Sequence, residues 1–193
     1  MFSRPLFVVI FWGSFAAFAV LEGWVWGREL GGTKGQDRDR GSRIWIVISM
    51  WIGFYLAFSA MYWAAGETIH SHARAVFATG IAVLWIGLWL RWWSVRTLGR
   101  YFRTSVVIQG EHRMITSGPY RKIRNPSYSG ALLIVSGIGL ALDNWVSLAC
   151  VVVFSLIAYA RRIQVEQEAL LEHFGQPYRD YIARTWALIP FVW

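Results

Sequence analysis

A chain of 193 residues that is 56% hydrophobic, with 13 tryptophans and 16% charged residues, falls short of the roughly 25% charge of a soluble domain. Its length suits one domain and its composition an integral membrane protein. The net charge of +8 would suggest nucleic acid in a soluble chain, but these cations lie in a few loops between apolar runs, which argues for membrane topology and against a nucleic-acid partner.

Residues 6–26 are apolar apart from Glu22 and reach the length of about 20 residues that a transmembrane helix needs. The run lacks a small-residue cleavage site and more spans follow, so it reads as a mature helix rather than a signal peptide. Glu22 lies near its end, beside Trp24 and Trp26, where solvation at the interface is its simplest role. Residues 27–43 form a polar loop rich in Gly, Arg and Asp, and residues 44–65 a second span. The connector 66–74 holds His70 and His72, whose spacing does not share a helix face, so no metal site is expected. Cys150 is the single cysteine and has no partner for a disulfide.

A third span over 75–90 leads into the longest polar segment, 91–127. Two apolar runs follow, 128–142 and 145–160, separated by Asp143-Asn144, a turn signal. At about 15 residues each they are marginal as independent spans, and they read as a helical hairpin packed on the others. From Arg161 the sequence becomes amphipathic, Gly175 is a natural helix stop, and a short helix from Pro177 to Arg184 precedes the close at Trp193. The expected fold is an all-α integral membrane protein of about five transmembrane helices, the last two a hairpin, plus a cytoplasmic C-terminal helical segment. It forms one membrane domain over 1–193, with three spans in 1–90 and a cofactor-binding catalytic half in 91–193.

Loops 27–43 and 91–127 and the tail from 161 carry 17 of the 19 Lys and Arg residues, leaving Arg4 and Arg74. Positive charge stays cytoplasmic, so five crossings put the N-terminus outside and the C-terminus in the cytoplasm. Both polar segments able to carry chemistry then share the cytoplasmic side.

The stretch Gly118-Pro119-Tyr120-Arg121-Lys122-Ile123-Arg124-Asn125-Pro126-Ser127-Tyr128 is the centre of that chemistry. Pro126 suits the first turn of a helix, whose free N–H groups favour an anion. Arg121 and Arg124 add charge-assisted donors, and Asn125 both donates and accepts. Head-group anchoring is the competing role for such residues. Arg162 and Glu166 lie at i, i+4 on one helix face, and a hairpin would return Arg162 to Arg124; an ordinary salt bridge is the bland alternative.

The stretch resembles the Gly-Pro-Tyr-Arg…Arg-His-Pro-x-Tyr-x-Gly signature of isoprenylcysteine carboxyl methyltransferases, which phospholipid methyltransferases share in a related form. Leu98-Gly99, Phe102, Arg162, Glu166, Phe174-Gly175, Tyr178, Tyr181 and Ile189-Pro190 resemble the same family's other positions. His112 matches its Gly-His-x-Leu motif in the His alone, the signature His is Asn125, and the second carboxylate after Glu166 is Gln167.

The resemblance implies S-adenosylmethionine as cofactor and a hydrophobic or lipid-linked methyl acceptor. Arg124, Arg162 and Glu166 are then the catalytic candidates. Cofactor-binding candidates are His112, Gly118, Pro119, Tyr120, Arg121, Asn125, Pro126, Tyr128, Glu166 and Glu168. Carboxyl O-methylation of a prenylcysteine-like acid is the leading expectation, ahead of phospholipid or amine N-methylation and of a non-catalytic membrane protein such as a small transporter.

Overall fold

The structure, a computed structural model, describes residues 5–27, 36–37, 41–69, 72–102, 107–108 and 114–193. The expected apolar runs form helices α1 (Pro5–Gly27), α2 (Ser42–Trp63), α3 (Ala73–Leu98), α4 (Pro126–Ala141) and α5 (Trp145–Phe174), followed by α6 (Gln176–Ala183). Helices α1, α2, α3 and α5 are each long and apolar enough to cross a membrane. Their outward faces carry large apolar side chains such as Trp12, Trp51, Tyr62 and Trp89, a surface that suits lipid rather than water. The chain is an integral membrane protein.

Helix α5 runs unbroken for 30 residues, from the last apolar run through the amphipathic stretch to Phe174; no Gly or Pro interrupts it before Gly175, the expected stop. The fifth apolar helix, α4, has only 16 residues, and twelve of them are buried. It is thus the buried centre of the bundle.

Close backbone contact makes that position possible. Gly80 and Gly87 of α3 face Gly137 and Gly130 of α4 in antiparallel register, a seven-residue spacing on both helices. A Cβ on Gly137 would lie 2.5 Å from the Gly80 carbonyl oxygen, and one on Gly87 would lie 2.6 Å from the Gly130 carbonyl oxygen. Small residues let membrane helices approach this closely where no hydrophobic force draws them together.

At one end of the bundle, the connector after α2 meets the turn between α4 and α5. The Asn144 side chain donates to the Ala64 carbonyl at 2.7 Å, and its Oδ1 caps α5 by accepting from Ser147 N–H at 2.9 Å. At the other end the polar segments gather. Strand β1 (Gln36–Asp37) pairs antiparallel with β2 (Val107–Ile108), Gln36 opposite Ile108. Arg43 lies over the Trp26 ring at 4.2 Å and Arg161 over Trp45 at 5.7 Å. Residue Ile123 bridges Trp186 in parallel. The described parts of the polar segments therefore lie at one end of the helices.

Candidate functional site

The signature stretch is fixed first by main-chain pairing to the C-terminal tail. Arg124 N–H donates to the Trp186 carbonyl at 2.7 Å, Trp186 N–H to the Lys122 carbonyl at 3.0 Å, and Asn125 N–H to the Ala187 carbonyl at 3.2 Å. The Asn125 side chain adds a bond to the same Ala187 carbonyl at 2.8 Å, and Ser129 donates to the Leu188 carbonyl at 2.5 Å. Tyr181 of α6 donates to the Tyr120 carbonyl at 2.6 Å, while Tyr120 donates to the Ser94 carbonyl at 3.4 Å. Asn125 and Tyr120 thus clamp the tail and the end of α3. Pro119 is buried beside Tyr120 within a 3-10 turn over Gly118–Arg121. Gly118 holds a positive φ of 58° with its Cα packed towards Thr97, a conformation that favours glycine.

Pro126 opens α4, and Tyr128 in its first turn meets the middle of α5. Tyr128 donates to Glu166 Oε1 at 2.7 Å. Arg162 Nε donates to the same oxygen at 2.8 Å and to the Tyr128 hydroxyl at 3.1 Å. Its Nη1 reaches the Ser42 hydroxyl of α2 at 2.7 Å. Arg162 is fully buried, whereas the Glu166 side chain keeps 20% exposure. Both donors land on Oε1, and among the described residues none reaches Oε2. The Tyr128 ring stacks on Tyr159 at 5.2 Å.

Arg124 belongs to a neighbouring network. Its Nη1 donates to the carbonyls of Ile182, at 3.1 Å, and Thr185, while its Nε is buried with no hydrogen-bond partner among the described residues. Burial lowers the Arg124 pKa from the ordinary guanidinium range. Tyr178 of α6 is pushed well above the usual phenol range by burial and then by the negative field of Glu166, against an opposing influence from Arg124. Burial likewise pushes Tyr181 up to about 12, against the opposing Arg124 and Arg184. These phenols remain donors at neutral pH.

Of the residues expected to act, the structure brings Tyr128, Arg162 and Glu166 into direct contact and holds Arg124 by separate partners. Arg121 and Glu168 are exposed, and His112 lies outside the described residues. The sequence reading did not single out Arg91, Ser42, Ser127 or Tyr159, and it took Glu22 for an interfacial group. Arg91 Nε donates to Glu22 Oε1 at 2.5 Å and its Nη2 to Glu22 Oε2 at 2.8 Å. Its Nη1 donates to the Ser127 hydroxyl at 3.0 Å and carbonyl at 3.3 Å, so the pair supports the start of α4. The available signal was one acidic residue in an otherwise apolar run and one arginine at a span's end; 69 positions separate them.

This ion pair forms part of the wall of a cavity of about 500 Å³. Phe15 and Phe18 of α1 and Met50 and Phe54 of α2 give it an apolar lining, and Tyr128 and Tyr159 close it on the side of the Arg162 cluster. An apolar space with a few convergent polar groups is the usual form of a small-molecule site.

A family model described as phospholipid methyltransferase matches residues 75–177. Protein-S-isoprenylcysteine O-methyltransferase B of Arabidopsis thaliana is 34% identical over 115 residues, covering 58% of this chain and 58% of its own. The protein-S-isoprenylcysteine O-methyltransferase of Tribolium castaneum is 28% identical over 147 residues, 75% of this chain and 50% of its own. The chain therefore spans roughly half to three fifths of these curated relatives. A solved eukaryotic intramembrane Ras methyltransferase, an isoprenylcysteine carboxyl methyltransferase, superposes with a TM-score of 0.69 at 25% identity, over 98% of this chain and 69% of that one. The resemblance read from the sequence is thereby borne out. Because the family match extends over more than half of its residues, the chain belongs to the phospholipid methyltransferase family.

Proposed function

We propose that the chain is an S-adenosylmethionine-dependent membrane methyltransferase that esterifies the carboxylate of a prenylcysteine-like or other hydrophobic acid. One observation carries the reading: the apolar cavity between α1 and α2 ends on Arg91 and Tyr128, and Tyr128 is bonded directly to Arg162 and Glu166. A long apolar group thus has a space that leads to the polar cluster.

The donor set fits the cofactor. Among the described residues, Arg124 offers a buried Nε–H without a partner and Glu166 an Oε2 that accepts no bond, groups suited to a carboxylate and to an ammonium or ribose hydroxyl. When bound, the cofactor supplies a methyl group on a sulfonium, open to in-line attack. An ionised carboxylate is already a nucleophile, so the protein's task is alignment, which can contribute about 7–11 kcal/mol. Arg162 holds Glu166 and Tyr128 in one geometry, and the apolar lining keeps water away from the reacting carbon. In this reading the polar end of the bundle faces the cytoplasm, as the distribution of Lys and Arg favours.

Amine N-methylation has one observation of its own, the Glu22 carboxylate in the cavity wall, which would suit a cationic head. It also requires a base to remove a proton. Transfer of labelled methyl from S-adenosylmethionine, using purified chain with prenylated acids, phosphatidylethanolamine and single-chain amines as acceptors, tests the choice. Base-labile label in the acids alone is the expected result; label in amines alone supports the second reading, and no transfer to any acceptor refutes both.

A further inference from the structure

We propose that Phe15 is the floor of the cavity between α1 and α2 and sets the length of apolar chain that the acceptor acid can carry. This rests on the hydrophobic-acid reading and adds the residue that measures the acid's tail. The cavity lining on α1 runs from Trp26 through Glu22, Ala19 and Phe18 to Phe15, and on α2 from Arg43 to Phe54. Both helices continue past that level, α1 to Pro5 and α2 to Trp63. The space ends because aromatic rings fill the seam. Phe15 meets Phe11, Trp12, Phe18, Phe54 and Phe58, with ring centroids 5.6–6.4 Å apart. Beyond it, Phe58 lies against Phe11 at 6.4 Å and stacks on Trp12 at 6.2 Å.

The depth follows from helix geometry. Glu22 pairs with Arg91, Arg91 bonds Ser127, and the next residue, Tyr128, bonds Glu166. The polar groups of the wall therefore lie level with the Arg162 cluster, where the acid's head is placed. From Glu22 to Phe15 is seven residues, about 10 Å along α1. An extended chain covers about 3.6 Å per three bonds, so a head held at that level leaves room for about eight bonds before the floor. A longer tail has to fold back or leave the cavity. One methylene too many in a closed apolar pocket is worth about tenfold or more. The surrounding lipid makes no such selection, because hydrocarbon accepts a tail of any length; only a closed end measures it.

Equilibrium binding of N-acetyl-S-butylcysteine and its S-octyl and S-dodecyl homologues to the full chain in phosphatidylcholine nanodiscs, without methyl donor, tests this. Affinities taken per mole fraction of ligand in the bilayer cancel its partition into lipid. The native chain should bind the butyl and octyl acids alike and the dodecyl acid about tenfold more weakly. Phe15→Ala lowers the floor by one helix turn, about 5.4 Å, to Phe11, and should bring the dodecyl acid level with the octyl. Ala19→Phe raises the floor by a turn and should weaken the octyl acid about tenfold against the butyl. Ala19 is exposed, so this second variant carries the test should Phe15→Ala fail to fold. A native chain that binds the dodecyl acid as well as the octyl overturns the proposal, as does a length order that either variant, once folded, leaves unchanged. A chain that shows the expected pattern but transfers no methyl group to these acids sinks only the enzymatic reading. A chain that methylates acids but binds all three lengths equally sinks only this one.

Discussion

Replacing Arg162 with alanine tests whether the buried cluster acts as one unit. Its guanidinium is fully buried and bonded to Glu166, Tyr128 and Ser42. Breaking a buried ion pair by removing one partner costs about 3–5 kcal/mol. Glu166 keeps 20% exposure, so water can solvate the stranded carboxylate, and the low end, about 3 kcal/mol, applies. For a chain of this size that corresponds to a melting point lower by about 6–12 °C. Tyr128→Phe is the control: it removes the bond donated to Glu166, about 1.5–3 kcal/mol, together with the longer contact accepted from Arg162 Nε, which keeps its bond to Glu166. Thermal unfolding in detergent, followed by tryptophan fluorescence, measures both. The decisive arm is Arg162→Ala with Glu166→Ala, which removes both charges together. It should be more stable than the sum of the single losses by at least about 1 kcal/mol, since contacting residues couple. Strict additivity, or an Arg162→Ala loss no larger than that of Tyr128→Phe, would refute the reasoning.

Two other substitutions address the scaffold. Gly137→Ala brings a methyl group to 2.5 Å from both the Gly80 carbonyl oxygen and the Leu84 nitrogen, so α3 and α4 must separate. A loss of about 1–3 kcal/mol is expected from such overpacking, measured by thermal unfolding, and full native stability would show that the seam can yield. Tyr181→Phe deprives the buried Tyr120 carbonyl of its side-chain donor. It should cost about 1–3 kcal/mol and hasten limited proteolysis after Phe174; an unchanged cleavage rate would show that this bond does not hold the tail.

The apolar runs, the turn at Asp143-Asn144 and the i, i+4 pair Arg162–Glu166 were legible because each is a local pattern of spacing and composition. Tyr128 was legible only through the family signature. The stop of α5 at Gly175 was legible too, since nothing between Trp145 and Phe174 breaks a helix. Three features left little trace. The Glu22–Arg91 pair joins residues at the ends of different spans, where either alone suits an interface. The docking of Trp186 and Ala187 on residues 122–125 uses main-chain groups that any residue carries. The central place of α4 depends on glycines facing glycines, and a seven-residue spacing does not name its partner.

The unequal lengths of α4 and α5 explain why the polar cluster forms where it does. The two helices share a tight turn at one end, and they rise equally per residue, about 1.5 Å. Helix α4 therefore begins, at Pro126, alongside the middle of α5, where Arg162 lies, and α5 continues for roughly another 18 Å to Phe174. Past that level α4 is replaced by the signature stretch, which holds Tyr120 on the end of α3 and Arg124 and Asn125 on the returning tail. The apolar cavity between α1 and α2 runs from Phe15 to Trp26 and Arg43, with the pair Glu22–Arg91 in its wall. A short central helix beside a long one thus creates a step in the bundle, with hydrocarbon on one side and hydrogen-bonding groups on the other. A molecule with an apolar tail and a reactive polar head can meet both at once only at such a step.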